Sequence, residues 1–221
     1  MGDEVADKGS DGHPHFITLE GGEGAGKSTQ AQRIARYLER QGHSVCLTRQ
    51  PGGTTLAEEL RRMLKNTAQD IAPLTELLLL FAARAQFLDE VVRPALAAGQ
   101  VVVCDRFTDS SYAYQGGGRG LPERDIATLE QLVHGDLQPG LTLLFDLDVR
   151  LGHERVASRG DADRFEREDQ AFFERVRRAY LARAAQYPGR FRVIQAGVDH
   201  DLVWQQVEAV LAQWLPGRSR P

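Results

Sequence analysis

Phe16-Ile17-Thr18-Leu19-Glu20, followed at once by Gly21-Gly22-Glu23-Gly24-Ala25-Gly26-Lys27-Ser28, decides how this chain folds. The first five residues read as a short apolar strand. The next eight match G-x-x-x-x-G-K-[ST] in full. A helix is expected from about Lys27 to Arg40, with Ala31, Ile34, Ala35 and Leu38 on one face and Gly42 ending it. Strand, glycine-rich turn and helix together are the context that a phosphate-binding loop requires. Glycines let backbone N–H groups converge on a phosphate without side-chain clash, and the helix N-terminus adds partial positive charge. Lys27 is expected to reach the β- and γ-phosphates of a nucleotide and Ser28 to bind Mg²⁺, with Gly21 through Thr29 as the nucleotide-holding stretch.

Outward from this loop, strand-like and helix-like segments alternate, which argues for a parallel sheet flanked by helices. Ser44–Thr48 reads as a second strand and Pro51-Gly52-Gly53 as a loop. Helices are expected at about Leu56–Lys65 and Leu74–Leu96, the second buried centrally because Leu77 to Phe81 is apolar all round. Val101-Val102-Val103-Cys104 is a continuous apolar strand, as expected when both sheet faces are covered. Leu141–Phe145 and Phe191–Ile194 supply two further strands. A last helix, at about 201–215, carries Val203, Val207, Val210, Leu211 and Trp214 on one stripe. The expectation is a three-layer α/β/α P-loop NTPase fold with a five-stranded parallel sheet and a lid segment. Residues 1–14 read as a disordered tail and 15–216 as a single domain, with the lid at about 152–168.

Composition narrows the function. A chain of 221 residues buries a core without staples. Its net charge of −4 gives no basic footprint for nucleic acid. No apolar stretch is long enough to cross a bilayer, and the N-terminal residues lack the apolar middle of a secretion signal. Cys46 and Cys104 have neither C-x-x-C nor zinc spacing and read as reduced core thiols in a cytoplasmic protein.

A P-loop alone names no function. The base-reading N-K-x-D of a GTPase and the signature of a transporter ATPase are both missing, and the short chain suits a small-molecule kinase. Asp105 ends a buried strand, where it serves either as a magnesium-side carboxylate or as a helix N-cap. Arg106 beside it has the two-pronged geometry that grips a phosphate. Arg84 sits in an apolar helix, three residues from Phe81 and so on the same face. It answers either a ligand or a structural carboxylate.

Several motifs in order then resemble the thymidylate kinase family. They are Phe16 to Gly21 with Glu23 to Ser28, Arg49-Gln50-Pro51-Gly52-Gly53, Phe81-Ala82-Ala83-Arg84, Asp105-Arg106-Phe107 and Ala113-Tyr114-Gln115-Gly116-Gly117-Gly118. The resemblance covers about residues 15–215. It implies phosphoryl transfer from ATP to dTMP with Mg²⁺, giving dTDP for dTTP synthesis. Gly21, Gly22, Glu23, Gly24, Ala25, Gly26, Lys27, Ser28 and Thr29 would hold ATP, and Ser28 and Asp105 the metal. Glu23 would contact the acceptor sugar 3′-OH, Arg49 would lie near the acceptor phosphate, and Arg106 would bind that phosphate. Phe81 would stack near thymine, Arg84 would hydrogen-bond its edge, and Ser111 and Gln115 would line the base pocket. Tyr114 would crowd the sugar's 2′ position. The family is often homodimeric. Two departures stand out: Gln50 replaces the family's usual Glu, and Leu80 occupies the position of the usual stacking aromatic.

Residues 150–169 alternate in charge, which suits either a solvated helix surface or a lid. Phosphoryl transfer needs cationic charge on the migrating group and exclusion of water. Ala25 offers no arginine inside the P-loop. The resemblance points to Arg159, before Gly160, as the transition-state arginine, with Arg155 and Arg164 as secondary candidates and Gly160 as a hinge. The catalytic set expected is therefore Lys27, Arg106 and Arg159. Two alternatives stay open: the same fold acting on another nucleoside monophosphate, and a non-enzymatic nucleotide-binding regulator.

Overall fold

A computed structural model describes residues 12–66, 68, 70–157 and 163–215. Five strands form one all-parallel sheet: β1 His13–Glu20, β2 Val45–Arg49, β3 Val101–Asp105, β4 Pro139–Asp146 and β5 Phe191–Gln195. Their order in space is β2-β3-β1-β4-β5. The α1 helix (Lys27–Arg40) links β1 to β2. α2 (Thr55–Lys65), α3 (Pro73–Phe87) and α4 (Arg93–Ala97) precede β3, and α5 (Thr108–Ser111) and α6 (Glu123–His134) follow it. α7 (Val149–Ala157) and α8 (Gln170–Gln186) lie between β4 and β5, and α9 (His200–Trp214) closes the chain.

Alternation along the central strands makes three layers. Ile17 and Leu19 of β1, with Val101 and Val103 of β3, pack against Ile34 and Leu38 of α1 and Val207 and Leu211 of α9. Phe16, Val102 and Cys104 point the other way, onto Phe87, Leu88, Val92 and Phe107. Both faces of β1 and β3 are therefore dry, which is why these strands read as unbroken apolar runs. Cys104 is buried, Cys46 is half-buried on the edge strand β2, and both are free thiols.

β1 begins at His13, earlier than its apolar run, because the His13 amide donates to the Gln138 carbonyl at 2.7 Å and the strand pairs with Pro139. Residues 13 and 14, expected in the tail, thus belong to the sheet, while 1–11 lie outside the described residues. The helix expected over 74–96 divides. Pro73 opens α3 at a first-turn position that needs no N–H. A π-helical turn at Leu88–Val92 then leads into α4, where the Arg93 amide reaches back to the Leu88 carbonyl. Pro94 has no amide to continue the regular ladder.

β1 has β3 on one side and β4 on the other, so the chain winds in opposite directions from it. In such sheets the crevice beyond the carboxyl ends of the strands at the reversal is where ligands bind. The phosphate-binding loop leaves β1 at that crevice, and Asp105 ends β3 beside it.

Candidate functional site

The loop after β1 is held by backbone geometry. Gly26, at the start of α1, has φ of 83°, a left-handed conformation open to glycine and disfavoured for other residues. A Cβ on Gly24 would come within 2.6 Å of the Gly152 carbonyl oxygen, so this glycine also lets α7 close onto the loop. Lys27 folds back over the loop and donates to the Gly21 and Gly22 carbonyls at 3.1 and 2.7 Å. Burial, then the nearby Arg106, pushes its ammonium down to about 8, against the pull of Glu23 and Asp105. Ser28 Oγ donates to Asp105 Oδ2 at 2.6 Å. The Asp105 carboxylate thus faces the start of α1.

Arg106 is the centre of the site. It adopts φ of 69°, uncommon for a residue with a side chain. Its amide donates to the Leu19 carbonyl at 2.9 Å, and the next amide, Phe107 N, donates to Glu20 Oε1 at 2.7 Å. The Glu20 carboxylate also accepts from Ser110 Oγ at 2.6 Å and Tyr180 OH at 3.0 Å. Burial, then Asp109, raises the Glu20 carboxyl above the ordinary range, with Ser110 and Arg106 pulling the other way. Held this way, the Arg106 guanidinium donates to Glu23 at 2.6 Å, to the Gly21 carbonyl at 3.0 Å and to Tyr114 OH at 3.2 Å. Burial pulls the Glu23 carboxyl up, but Arg106, Lys27 and Tyr114 outweigh it and bring it to about 2.

From this centre a cleft of about 590 Å³ extends to α3. That volume suits small-molecule ligands. Seven cationic side chains line it against four carboxylates, an excess opposite to the chain's net charge of −4. Arg49 lines it too, its Nη2 donating to both Glu58 carboxylate oxygens at 2.9 and 3.1 Å. Arg84 lies in its wall, with Nη2 donating to Gln50 Oε1 at 2.9 Å and Ser111 Oγ at 3.0 Å. These partners are neutral, so the departure at Gln50 leaves Arg84 without a bonded carboxylate. Its buried Nε and Nη1 have no partner among the described residues. Burial brings this guanidinium down to about 10.

The expected residues Lys27, Ser28, Thr29, Arg49, Arg84, Asp105, Arg106, Ser111, Tyr114 and Gln115 all line this one cleft, as does Glu23 to Gly26 of the loop. Phe81 does not. Its ring packs with Leu77, Tyr112 and Ile126, and stacks 6.2 Å from His134. Leu80, one residue earlier, faces the cleft instead. The placement of Phe81 beside the base is thereby corrected: a one-residue step turns a side chain about 100° around a helix. Arg159 and Gly160 lie outside the described residues. Of the two secondary candidates, Arg155 of α7 donates to the Gly24 and Ala196 carbonyls, both at 3.3 Å. Arg164 turns away from the P-loop, donating to the Leu64 carbonyl at 2.8 Å and to Glu76.

Several site residues escaped the sequence reading. Arg61 lines the cleft and donates to the Pro51 carbonyl at 2.8 Å. On an amphipathic α2 it looked no different from Arg62. Lys65 lines it too, paired with Asp163 at 2.6 Å. Glu20, within the first motif, carried the signal of an acid closing an apolar strand, whereas Ser110, among Thr108, Asp109 and Ser111, carried none.

The thymidylate kinase family model matches residues 19–207. The chain is 57% identical over 201 residues to the thymidylate kinase of Ectopseudomonas mendocina, covering 90% of this chain and 96% of that one. It is likewise 57% identical over 197 residues to that of Pseudomonas putida, covering 89% and 95%. The crystal structure of thymidylate kinase from Ehrlichia chaffeensis superposes with a TM-score of 0.73 at 36% identity, over 89% of this chain and 97% of that one. With the same motifs gathered in one cleft at the sheet's reversal point, this chain belongs to the thymidylate kinase family.

Proposed function

We propose that the cleft transfers the γ-phosphoryl group of ATP to dTMP, each part held by the residues already placed there. The observation that carries the reading is the cleft's continuity. Lys27 and Ser28 of the P-loop, Arg106 after β3, and Arg84 and Gln115 all line one and the same cleft. The P-loop amides and Lys27 hold the triphosphate, and Arg106, with Arg49, holds the acceptor phosphate. That phosphate is ionised near neutral pH, so the reaction needs alignment and charge neutralisation rather than a strong base. Glu23 meets the sugar 3′-OH and Tyr114 crowds its 2′ position. Arg84 offers the donors on its unpartnered Nε and Nη1 to the base edge, which would account for a buried arginine left short of partners.

Ser28 Oγ and the Asp105 carboxylate are hard oxygen donors 2.6 Å apart, a pair that fits Mg²⁺. Ser28 and Asp105 would hold Mg²⁺ beside the triphosphate, where it would supply charge neutralisation. Arg159 is the transition-state arginine of this proposal, in a lid at about 152–168. The chain from His13 onward acts as one catalytic domain, and the two free thiols suit a cytoplasmic setting. Among the described residues no helix is long and apolar enough to cross a membrane. A homodimer is also inferred, supported by the exposed Leu56 and Met63 of α2 and Leu74 and Leu78 of α3. Light scattering of the purified chain tests it.

The deciding experiment measures ADP release from MgATP with dTMP, dUMP, dCMP, AMP or no acceptor. Strong turnover with dTMP, less with dUMP and little otherwise is expected. Equal release without an acceptor, or preference for another monophosphate, overturns the proposal.

A further inference from the structure

Glu76 of α3 has no part in the chemistry above and does not line the cleft, yet its side chain is fully buried, at 0% exposure. A carboxylate taken from water needs compensation. Glu76 receives it from three donors. Gln115 Nε2 donates to Oε1 at 2.7 Å. Arg119 reaches both oxygens at 3.4 and 3.3 Å, and Arg164 donates to Oε2.

The Gln115 contact has a chemical consequence. A carboxamide has a donating end and an accepting end of nearly the same shape, and its partner decides which way it sits. An ionised carboxylate only accepts. Beside Glu76, Gln115 must therefore turn its NH₂ inward, which directs its carbonyl oxygen away from Glu76. Gln115 also lines the cleft. We propose that Glu76 is a positioning residue for base selection, locking the Gln115 carboxamide so that the acceptor base meets a carbonyl rather than an amino group. This rests on the reading that Gln115 lines the base pocket. A thymine or uracil ring presents an imide N–H, which a carbonyl accepts. Cytosine presents a bare ring nitrogen at the same place, and two lone pairs then face each other. The reversed amide would welcome cytosine.

The test replaces the carboxylate with an isosteric amide. In Glu76→Gln either end of residue 76 satisfies Gln115, so the lock is released. The lost charge also loosens Arg119 and Arg164, but that affects every acceptor alike. The readout is therefore the ratio of kcat/KM for dTMP to that for dCMP at saturating MgATP. One hydrogen bond's worth of discrimination is at stake, so the ratio is expected to fall about tenfold. In a Gln115→Met background the same change at Glu76 should leave the ratio unmoved. If Glu76→Gln does not fold, Glu76→Asp keeps the charge beside both arginines and draws the acceptor back from Gln115, with the same fall expected. An unchanged ratio in a folded, active variant overturns the role of Glu76 alone. A wild-type protein that turns over no dTMP overturns the proposed function instead.

Discussion

The Arg106 guanidinium lies 2.6 Å from the Glu23 carboxylate, 83 residues away in the chain, and the two close the centre of the cleft. On the proposed reading, an acceptor phosphate would compete with Glu23 for the Arg106 Nη2 donor. Arg106→Ala is expected to lower kcat/KM for dTMP by about 10²–10³. Arg106→Lys should recover little of it, since an ammonium cannot give two parallel bonds. Steady-state kinetics with dTMP varied at saturating MgATP check this, and a change under threefold in Arg106→Ala would remove Arg106 from the acceptor site. The pair also survives acid. With Glu23 brought from 4.5 to about 2, its contribution to stability is complete above the unfolded value and is lost as pH falls through about 2.

Lys27 predicts an alkaline limit. Its folded pKa of about 8 lies below its ordinary value of 10.5, so the free protein loses this cation as pH rises through about 8. kcat/KM for MgATP, which reports the free enzyme, should decline above that pH. The limb in kcat should lie further alkaline, because bound phosphates favour the ammonium. Lys27→Ala should abolish measurable turnover. A kcat/KM profile flat to pH 9.5 would contradict the assignment.

Leu80 and Phe81 separate binding from stability. Phe81→Ala empties a packed site and should cost about 3–5 kcal/mol in urea unfolding. Because the Arg84 guanidinium lies 4.4 Å over its ring, dTMP KM should rise as well, but by less than in Leu80→Ala, if the variant is assayed where it is folded. Leu80→Ala, at the cleft wall, should raise dTMP KM by about tenfold, equivalent to roughly 1.4 kcal/mol of lost apolar contact. The reverse pattern would return the base-stacking role to Phe81.

What made the P-loop legible is that its spacing is a local backbone requirement, complete within Gly21 to Ser28. The sheet was legible for a similar reason, because dry strands such as Val101 to Cys104 have no polar face. The face of α3 was not. Leu77 to Phe81 is apolar on every side, so periodicity has no contrast there and cannot say whether Leu80 or Phe81 meets the cleft. Partnerships between distant segments were equally hidden. Gln50, Ser111 and Arg84 come from three separate elements, and their hydrogen bonds exist only after the sheet has assembled. Glu76 did leave a signal, as a lone acid entering an apolar helix, but its partners Gln115, Arg119 and Arg164 lie 39 to 88 residues away.

Asp109 carries a stability prediction of electrostatic origin. It is buried on α5, where Arg190 donates to it at 2.7 and 2.9 Å and Arg183 at 2.9 Å, joining α5 to α8 and to the start of β5. Burial alone would raise its carboxyl, but Arg190 and then Arg183 outweigh that and hold it well below the usual carboxylate range. Asp109→Asn keeps the shape and removes the charge, leaving two buried guanidinium groups facing a neutral amide. A loss of about 3–5 kcal/mol is expected, read as a lower urea midpoint with the slope unchanged. The pH dependence has a definite sign. A carboxyl whose folded pKa is depressed contributes fully above its unfolded value of 3.8 and loses that contribution as pH falls further. Wild-type stability should therefore drop more steeply below about pH 4 than that of Asp109→Asn, and the two curves should converge in acid. Parallel curves would show that the arginines find compensation elsewhere and that Asp109 is not what ties α8 to the sheet.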